Sequence, residues 1–149
     1  MMTVRTLLTT LCLALAALSG AAWALNSPDE EVVVRKLTAA EIMDLTQDKT
    51  WVIDFDDIRL TSTTFYKANG LRYTERDGLV EEMEWFVDED ANQRCVRSGY
   101  GTRCGFIVSF GSTVKICMQL NPLGDCSYTV VRIEEGDPFG LESRAAVVL

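Results

Sequence analysis

The sequence predicts a mainly β domain, an antiparallel meander or small barrel, with one short N-terminal helix and a disulfide staple. Three observations predict it. From Trp51 onward apolar residues recur at every second position in short runs, the signature of half-buried strands. Gly, Asn, Asp and Pro punctuate those runs roughly every eight to twelve residues, the rhythm of an all-β chain. Finally Cys95, Cys104, Cys117 and Cys126 fall among the late runs as two equally spaced pairs. A sandwich is the alternative topology.

Residues 1–24 read as an export signal. Arg5 supplies the positive start, the stretch from Leu7 to Leu18 is apolar, and Ala22-Trp23-Ala24 places small residues at the two positions a signal peptidase reads. Cleavage is expected after Ala24. The expected destination is the periplasm or the cell exterior. Residues 25–35, beginning Leu25-Asn26-Ser27-Pro28-Asp29-Glu30-Glu31, read as a flexible lead-in. Residues 36–138 are then a single β-rich domain and residues 139–149 a tail. After the leader no stretch approaches the ~18 to 20 apolar residues of a membrane span, so no span is expected.

The first element is a helix. Thr38-Ala39-Ala40-Glu41 is a capping box, in which the Thr38 hydroxyl accepts from the Glu41 N–H and the Glu41 carboxylate reaches back to Thr38. Leu37 and Ile42 flank it as a hydrophobic staple. The helix is expected from Ala39 to Gln47, burying Ile42 and Leu45. Trp51, Ile53 and Phe55 then alternate with Val52 and Asp54 as a first strand. Asn69-Gly70, between Phe65–Ala68 and Leu71–Thr74, signals a hairpin with a type I′ turn, and Asp77-Gly78 marks the next turn. Met83, Trp85 and Val87 share one face of the following strand. Gly105 to Phe110 is an apolar strand closed by Gly111-Ser112. Val114, Ile116, Met118 and Leu120 line one face of its successor. Asn121-Pro122-Leu123-Gly124-Asp125 has turn chemistry, and Cys126 to Ile133 returns as the partner strand.

In an exported chain four cysteines read as two disulfides. Of the three connectivities, Cys95–Cys104 with Cys117–Cys126 is favoured, because each pair brackets a turn. A metal site is disfavoured, since this spacing is not that of a zinc knuckle.

Composition excludes much chemistry. There is no histidine, so no Ser-His-Asp or Cys-His triad and no His-ligated metal can be built. Against 22 Asp and Glu stand 14 Lys and Arg, a net charge of −8. That sign opposes nucleic-acid binding. Asp54, Asp56 and Asp57 form the densest acidic cluster and are the residues a carboxylate-dependent hydrolase would use. A solvated strand end followed by a turn is the preferred reading of them. Asp88-Glu89-Asp90-Ala91-Asn92 copies half a calcium loop, but Gln93 and Gly99 stand where such a loop needs Gly and Glu. No catalytic residue, metal ligand or cofactor is assigned.

Trp51, Phe55 and Trp85 can either wall an apolar ligand cavity or fill an ordinary core. The loop around Tyr100, stapled between Cys95 and Cys104 and flanked by Arg97 and Arg103, suits recognition of a partner protein. The series Leu37-Thr38-Ala39-Ala40-Glu41-Ile42, then Lys49-Thr50-Trp51, an Asn-Gly hairpin and paired late cysteines resembles a family of small exported proteobacterial proteins of uncharacterised function. That resemblance implies a helix plus β-meander domain, loosely lipocalin-like, and implies no catalytic residues. The expected function is a non-enzymatic binding or interaction module for a protein or a small apolar ligand. A carboxylate hydrolase and an envelope structural or accessory protein are the alternatives.

Overall fold

The computed structural model describes residues 34–118 and 126–145. The expected export signal and the Asn121–Asp125 turn lie outside them. Within them the chain folds as nine strands and two short helices: β1 Val34–Lys36, α1 Ala39–Thr46, β2 Lys49–Phe55, β3 Leu60–Tyr66, β4 Leu71–Arg76, β5 Leu79–Asp88, β6 Gln93–Ser98, β7 Gly101–Phe110, β8 Thr113–Cys117, β9 Tyr128–Glu135 and α2 Leu141–Ala145. All strand pairings are antiparallel. From β2 to β9 each strand pairs with the next in sequence, and β9 pairs back onto β2. The result is an eight-stranded up-and-down barrel with β1 outside it, so the barrel form of the expected meander is the one adopted. Closure leaves no long free edge in the wall.

The helix plugs one end of this barrel. Thr38 caps it as the sequence predicts, with its N–H donating to Glu41 Oε2 at 2.9 Å and Glu41 N–H donating to Thr38 Oγ1 at 3.4 Å. The staple residues Leu37 and Ile42 enter the core with Trp51, Ile53, Tyr66, Trp85, Ile107, Ile116 and Val130. Thr46 rather than Leu45 is the second fully buried helix residue, because its hydroxyl donates to Ile42 O within the last turn and needs no solvent. The Leu45 carbonyl instead accepts from Trp51 Nε1 at 2.7 Å, which ties the helix end to the first barrel strand.

One turn departs from expectation in type. Asn69 does not take positive φ, whereas Gly70 does at 85°. Gly70 N–H donates to Lys67 O and Lys67 N–H to Leu71 O, so this hairpin closes with a longer turn and a glycine bulge instead of type I′. The Asn69 side chain explains the difference: its Oδ1 accepts from Leu71 N–H, an arrangement that holds the residue outside the left-handed region. Positive φ at both central residues occurs at Asp77 and Gly78. In β9 the register shifts opposite Val52 and Ile53, and Val131, the extra residue, is left exposed.

The described parts of the expected lead-in and tail carry regular structure. Val34 and Arg35, the close of the expected lead-in, belong to β1, which pairs with Val108–Phe110. β7 runs past its pairing with β6, which ends at Gly105, and β1 satisfies the backbone groups left over. The expected tail begins with α2. Asp137 accepts from the N–H groups of Leu141 and Glu142 at 2.9 and 3.0 Å, and Leu141 is fully buried against Phe65 and Tyr73 on the outer wall. Residues 146–149 lie outside the described set. Both disulfides form with the pairing the turns favour, Cys95–Cys104 and Cys117–Cys126.

Candidate functional site

Strand alternation sorts the barrel residues into two sets. Trp51, Ile53 and Phe55 point inward on β2, and register carries that face to Ser62, Thr64 and Tyr66, then to Arg72, Thr74 and Arg76. It continues through Glu81, Met83 and Trp85 to Arg94, Val96 and Ser98, and on to Arg103 and Gly105. At the helix-plugged end the inward side chains are large and fill the space. Tyr66 lies between the two tryptophans, edge-on to Trp51 at 5.2 Å and to Trp85 at 5.5 Å. Trp85 Nε1 donates to Lys67 O at 2.8 Å, so both indoles are fixed by backbone carbonyls. This aromatic layer is a floor.

Beyond the floor the inward side chains leave space, and a cavity of about 940 Å³ opens. Its sides include Ile53, Ser62, Thr64, Met83, Val96 and Ile116, with Phe55, Met118 and Tyr128 farther out. Gly105 contributes to the space directly: a Cβ there would come within 3.2 Å of Ile116 Cγ2 and 3.3 Å of Met118 Sδ. The exposed Arg76, Glu81 and Arg103 stand at the mouth. A volume near the upper end of the roughly 300–1,000 Å³ range of small-molecule sites accommodates an organic ligand of substantial length.

Two guanidiniums lie at the deep end. Arg72 is 7% exposed and Arg94 8%, and both contribute to the cavity lining. Arg94 donates through Nη1 to the Tyr66 hydroxyl, and its guanidinium carbon lies 5.4 Å from the Tyr66 ring and 5.6 Å from the Trp51 ring. Arg72 stands 5.9 Å from the Tyr66 ring. The Nε atoms of both are buried without a hydrogen-bond partner. Among the described residues no carboxylate oxygen lies within 4.0 Å of either side chain. Burial pushes the Arg72 pKa down to about 10, still well above neutrality, so the group keeps its charge at pH 7.

The sequence-predicted residues separate. Trp51 and Trp85 pack the floor, and Phe55 and Arg103 line the open half. Phe55 is edge-on to Tyr128 at 4.9 Å, with the Arg76 guanidinium 5.2 Å from its ring. Arg97 alternates out of the barrel, stacks near Phe86 and pairs with Glu84 at 3.0 Å, and with Tyr100 it still borders the cavity. Tyr100 is wholly exposed at the β6–β7 tip. The disulfide Cys95–Cys104 sits on the face of the wall opposite Arg94 and Gly105.

The acidic candidates lie elsewhere. Asp54 accepts from Thr61 on the outer wall. Asp56 is held by Lys115 at 3.0 Å and Thr129 at 2.8 Å, and the Lys115 bond, more than that of Thr129, keeps its pKa below the usual carboxylate range. Asp57 is exposed. None of the three lines the cavity, and a general acid needs the opposite pKa displacement. The Asp88–Asn92 segment closes the β5–β6 turn and braces the helix: Asn92 Oδ1 accepts from Ala39 N–H, and Ala91 O accepts from Lys36 Nζ. Arg72 and Arg94 are the residues that the sequence reading missed. A guanidinium at a position of inward parity was the available signal, masked at β4 by the apolar Leu71 and Tyr73 on the opposite face. The chain matches no family model, and neither curated proteins nor solved structures offer a match.

Proposed function

We propose that the protein is an exported, non-enzymatic binding module that holds one small organic molecule in the open half of its barrel. The observation that carries this reading is the cavity itself: a floor of fixed aromatics, a helix plug below it, and about 940 Å³ left unfilled above. Close-packed interiors do not leave such a volume without a use, since each unfilled site forfeits core stability. The leader Met1–Ala24 and the two disulfides support an oxidising compartment, periplasmic or extracellular. The carboxylate-hydrolase reading loses its support, because its three aspartates stand apart from the cavity. No helix among the described residues is long and apolar enough to cross a membrane.

Native mass spectrometry of protein purified from its own host tests this reading. A co-purified mass that leaves on mild denaturation is expected. A neutral environment-sensitive dye, N-phenylnaphthylamine, should also brighten in the presence of the emptied protein. An apo mass together with a dark dye would refute the reading.

A further inference from the structure

We infer that the cavity is built for an amphipathic anion, bound with its charged head inward on Arg72 and Arg94 and its apolar body along Phe55, Ile116 and Tyr128. This rests on the binding-module reading above and names its ligand class. The argument begins with charge. Two guanidiniums are more than nine-tenths buried beside one aromatic ring, and each presents a buried Nε with no partner. Buried charges in folded proteins are ordinarily paired, and breaking a buried pair is strongly destabilising. Here the partner is missing from the described residues, while the lining beside the two side chains is open cavity. The two cations also repel each other, and Arg94 is among the causes that depress the Arg72 pKa.

A carboxylate or phosphate head answers each of these facts. It accepts from the idle Nε–H groups, offsets two like charges and restores pairing in a dry site. The planar forks suit two-oxygen acceptors. The Tyr66 hydroxyl takes one donor of Arg94, whose guanidinium carbon lies 5.4 Å from the Tyr66 ring and 5.6 Å from the Trp51 ring, so the fork is oriented before the ligand arrives. Charged Arg76, Glu81 and Arg103 stand at the mouth, and the wall within is mixed. Ser62 and Thr64 share the lining with Arg72 and Arg94, while Phe55, Met118 and Tyr128 lie outward.

Fluorescence titration with cis-parinarate, its methyl ester and an alkyl phosphate of similar chain length tests the inference on oxidised full-length protein stripped of ligand. The acid or the phosphate should bind at least tenfold more tightly than the ester, and the tighter of the two identifies the head. Arg72→Met and Arg94→Met should each lower that preference at least tenfold, leaving ester affinity within about twofold. Arg132→Met, outside the cavity lining, should leave the preference intact. Circular dichroism confirms the fold of each variant. Because Arg94 also holds Tyr66, Arg72→Met decides the matter if Arg94→Met fails to fold. Equal affinity for acid, phosphate and ester, with the neutral dye still bound, would overturn the anion inference and leave the binding-module reading standing. Failure of every probe, the dye included, would overturn both.

Discussion

Replacing Arg72 by Met should make the ligand-free protein more stable. The side chain is 7% exposed, and its pKa falls below the ordinary guanidinium range to about 10, chiefly through burial. A shift of that size measures about 3 kcal/mol of destabilisation of the charged form on folding. The sign is fixed by the direction. Below about pH 10 the group is protonated in both states, and the folded state bears the whole cost; relief comes only as pH rises through about 10 toward the ordinary guanidinium range. At pH 7 the cost is therefore fully present. Against it stands the cation–π contact with Tyr66, worth about 1 kcal/mol. Met preserves most of the buried stem volume and introduces no charge. The net expectation is a gain of about 2 kcal/mol, or roughly 8 °C in Tm at about 4 °C per kcal/mol for a domain of this length. Urea titration at pH 7 with intact disulfides reads it as a higher midpoint at unchanged slope. A loss of stability by about 1 kcal/mol or more would refute the reasoning, for it would show that Arg72 braces the wall and does not await an anion.

Three further outcomes follow from named contacts. Glu41 is held at a pKa of about 2, first by the hydrogen bond from Arg35 and then by Thr38. The capping contribution should be complete above about pH 4.5 and fade as pH falls toward 2, visible as a shift in Trp51 emission, because that indole bonds the helix end at Leu45; an acid-insensitive signal in Glu41→Gln and the parent alike would count against it. Leu141→Ala removes the buried anchor of α2 and should cost about 2 to 4 kcal/mol by denaturant titration, with the loss falling below 1 kcal/mol if the helix is held by its Asp137 cap and the Lys67–Glu142 and Arg144–Glu75 pairs alone. Ser62→Phe places a ring into the cavity from β3 and should abolish dye binding while the far-ultraviolet spectrum is retained; undiminished binding would place the ligand elsewhere.

What the sequence revealed is what local chemistry dictates. The capping box around Thr38 and Glu41, the Asp77-Gly78 turn and the alternation on β2 and β5 are each decided by neighbours within a few positions. The cysteine pairing was legible for the same reason, since each bridge spans a single strand connection. Arg72 illustrates the limit. Its strand reads apolar at Leu71 and Tyr73, and nothing local reveals that α2, from the far end of the chain, covers Tyr73 and leaves the arginine face inward. Leu141 was illegible as an anchor because its partners Phe65 and Tyr73 lie nearly seventy residues away or more. The same holds for β1, whose pairing is set by how far β7 outruns β6. Trp51 and Trp85 were visible as inward residues. Whether they wall a cavity or floor it depends on where α1 comes to rest.

The placement of the staples bears on how such a barrel survives with an open cavity inside it. Each large apolar side chain withheld from the open half forgoes about 1.5 to 3 kcal/mol of burial. A disulfide closing a loop as short as these contributes about 2 to 3 kcal/mol on the loop-entropy model. Both bridges lie in strands that wall the cavity: Cys95 and Cys104 alternate with Arg94, Val96 and Gly105, and Cys117 follows Ile116, all of them cavity residues. The floor needs no such help, because Trp51, Tyr66, Ile107 and Ile42 are fully buried there. Reduction should therefore act unevenly. Amide hydrogen exchange after treatment with dithiothreitol should rise first at Val96–Ser98, Gly101–Gly105 and the Cys117 end of β8, while Trp51–Ile53 and α1 stay protected. Uniform loss of protection across floor and mouth would contradict this division of labour, because it would mean that the bridges hold the whole barrel and the aromatic floor cannot stand without them.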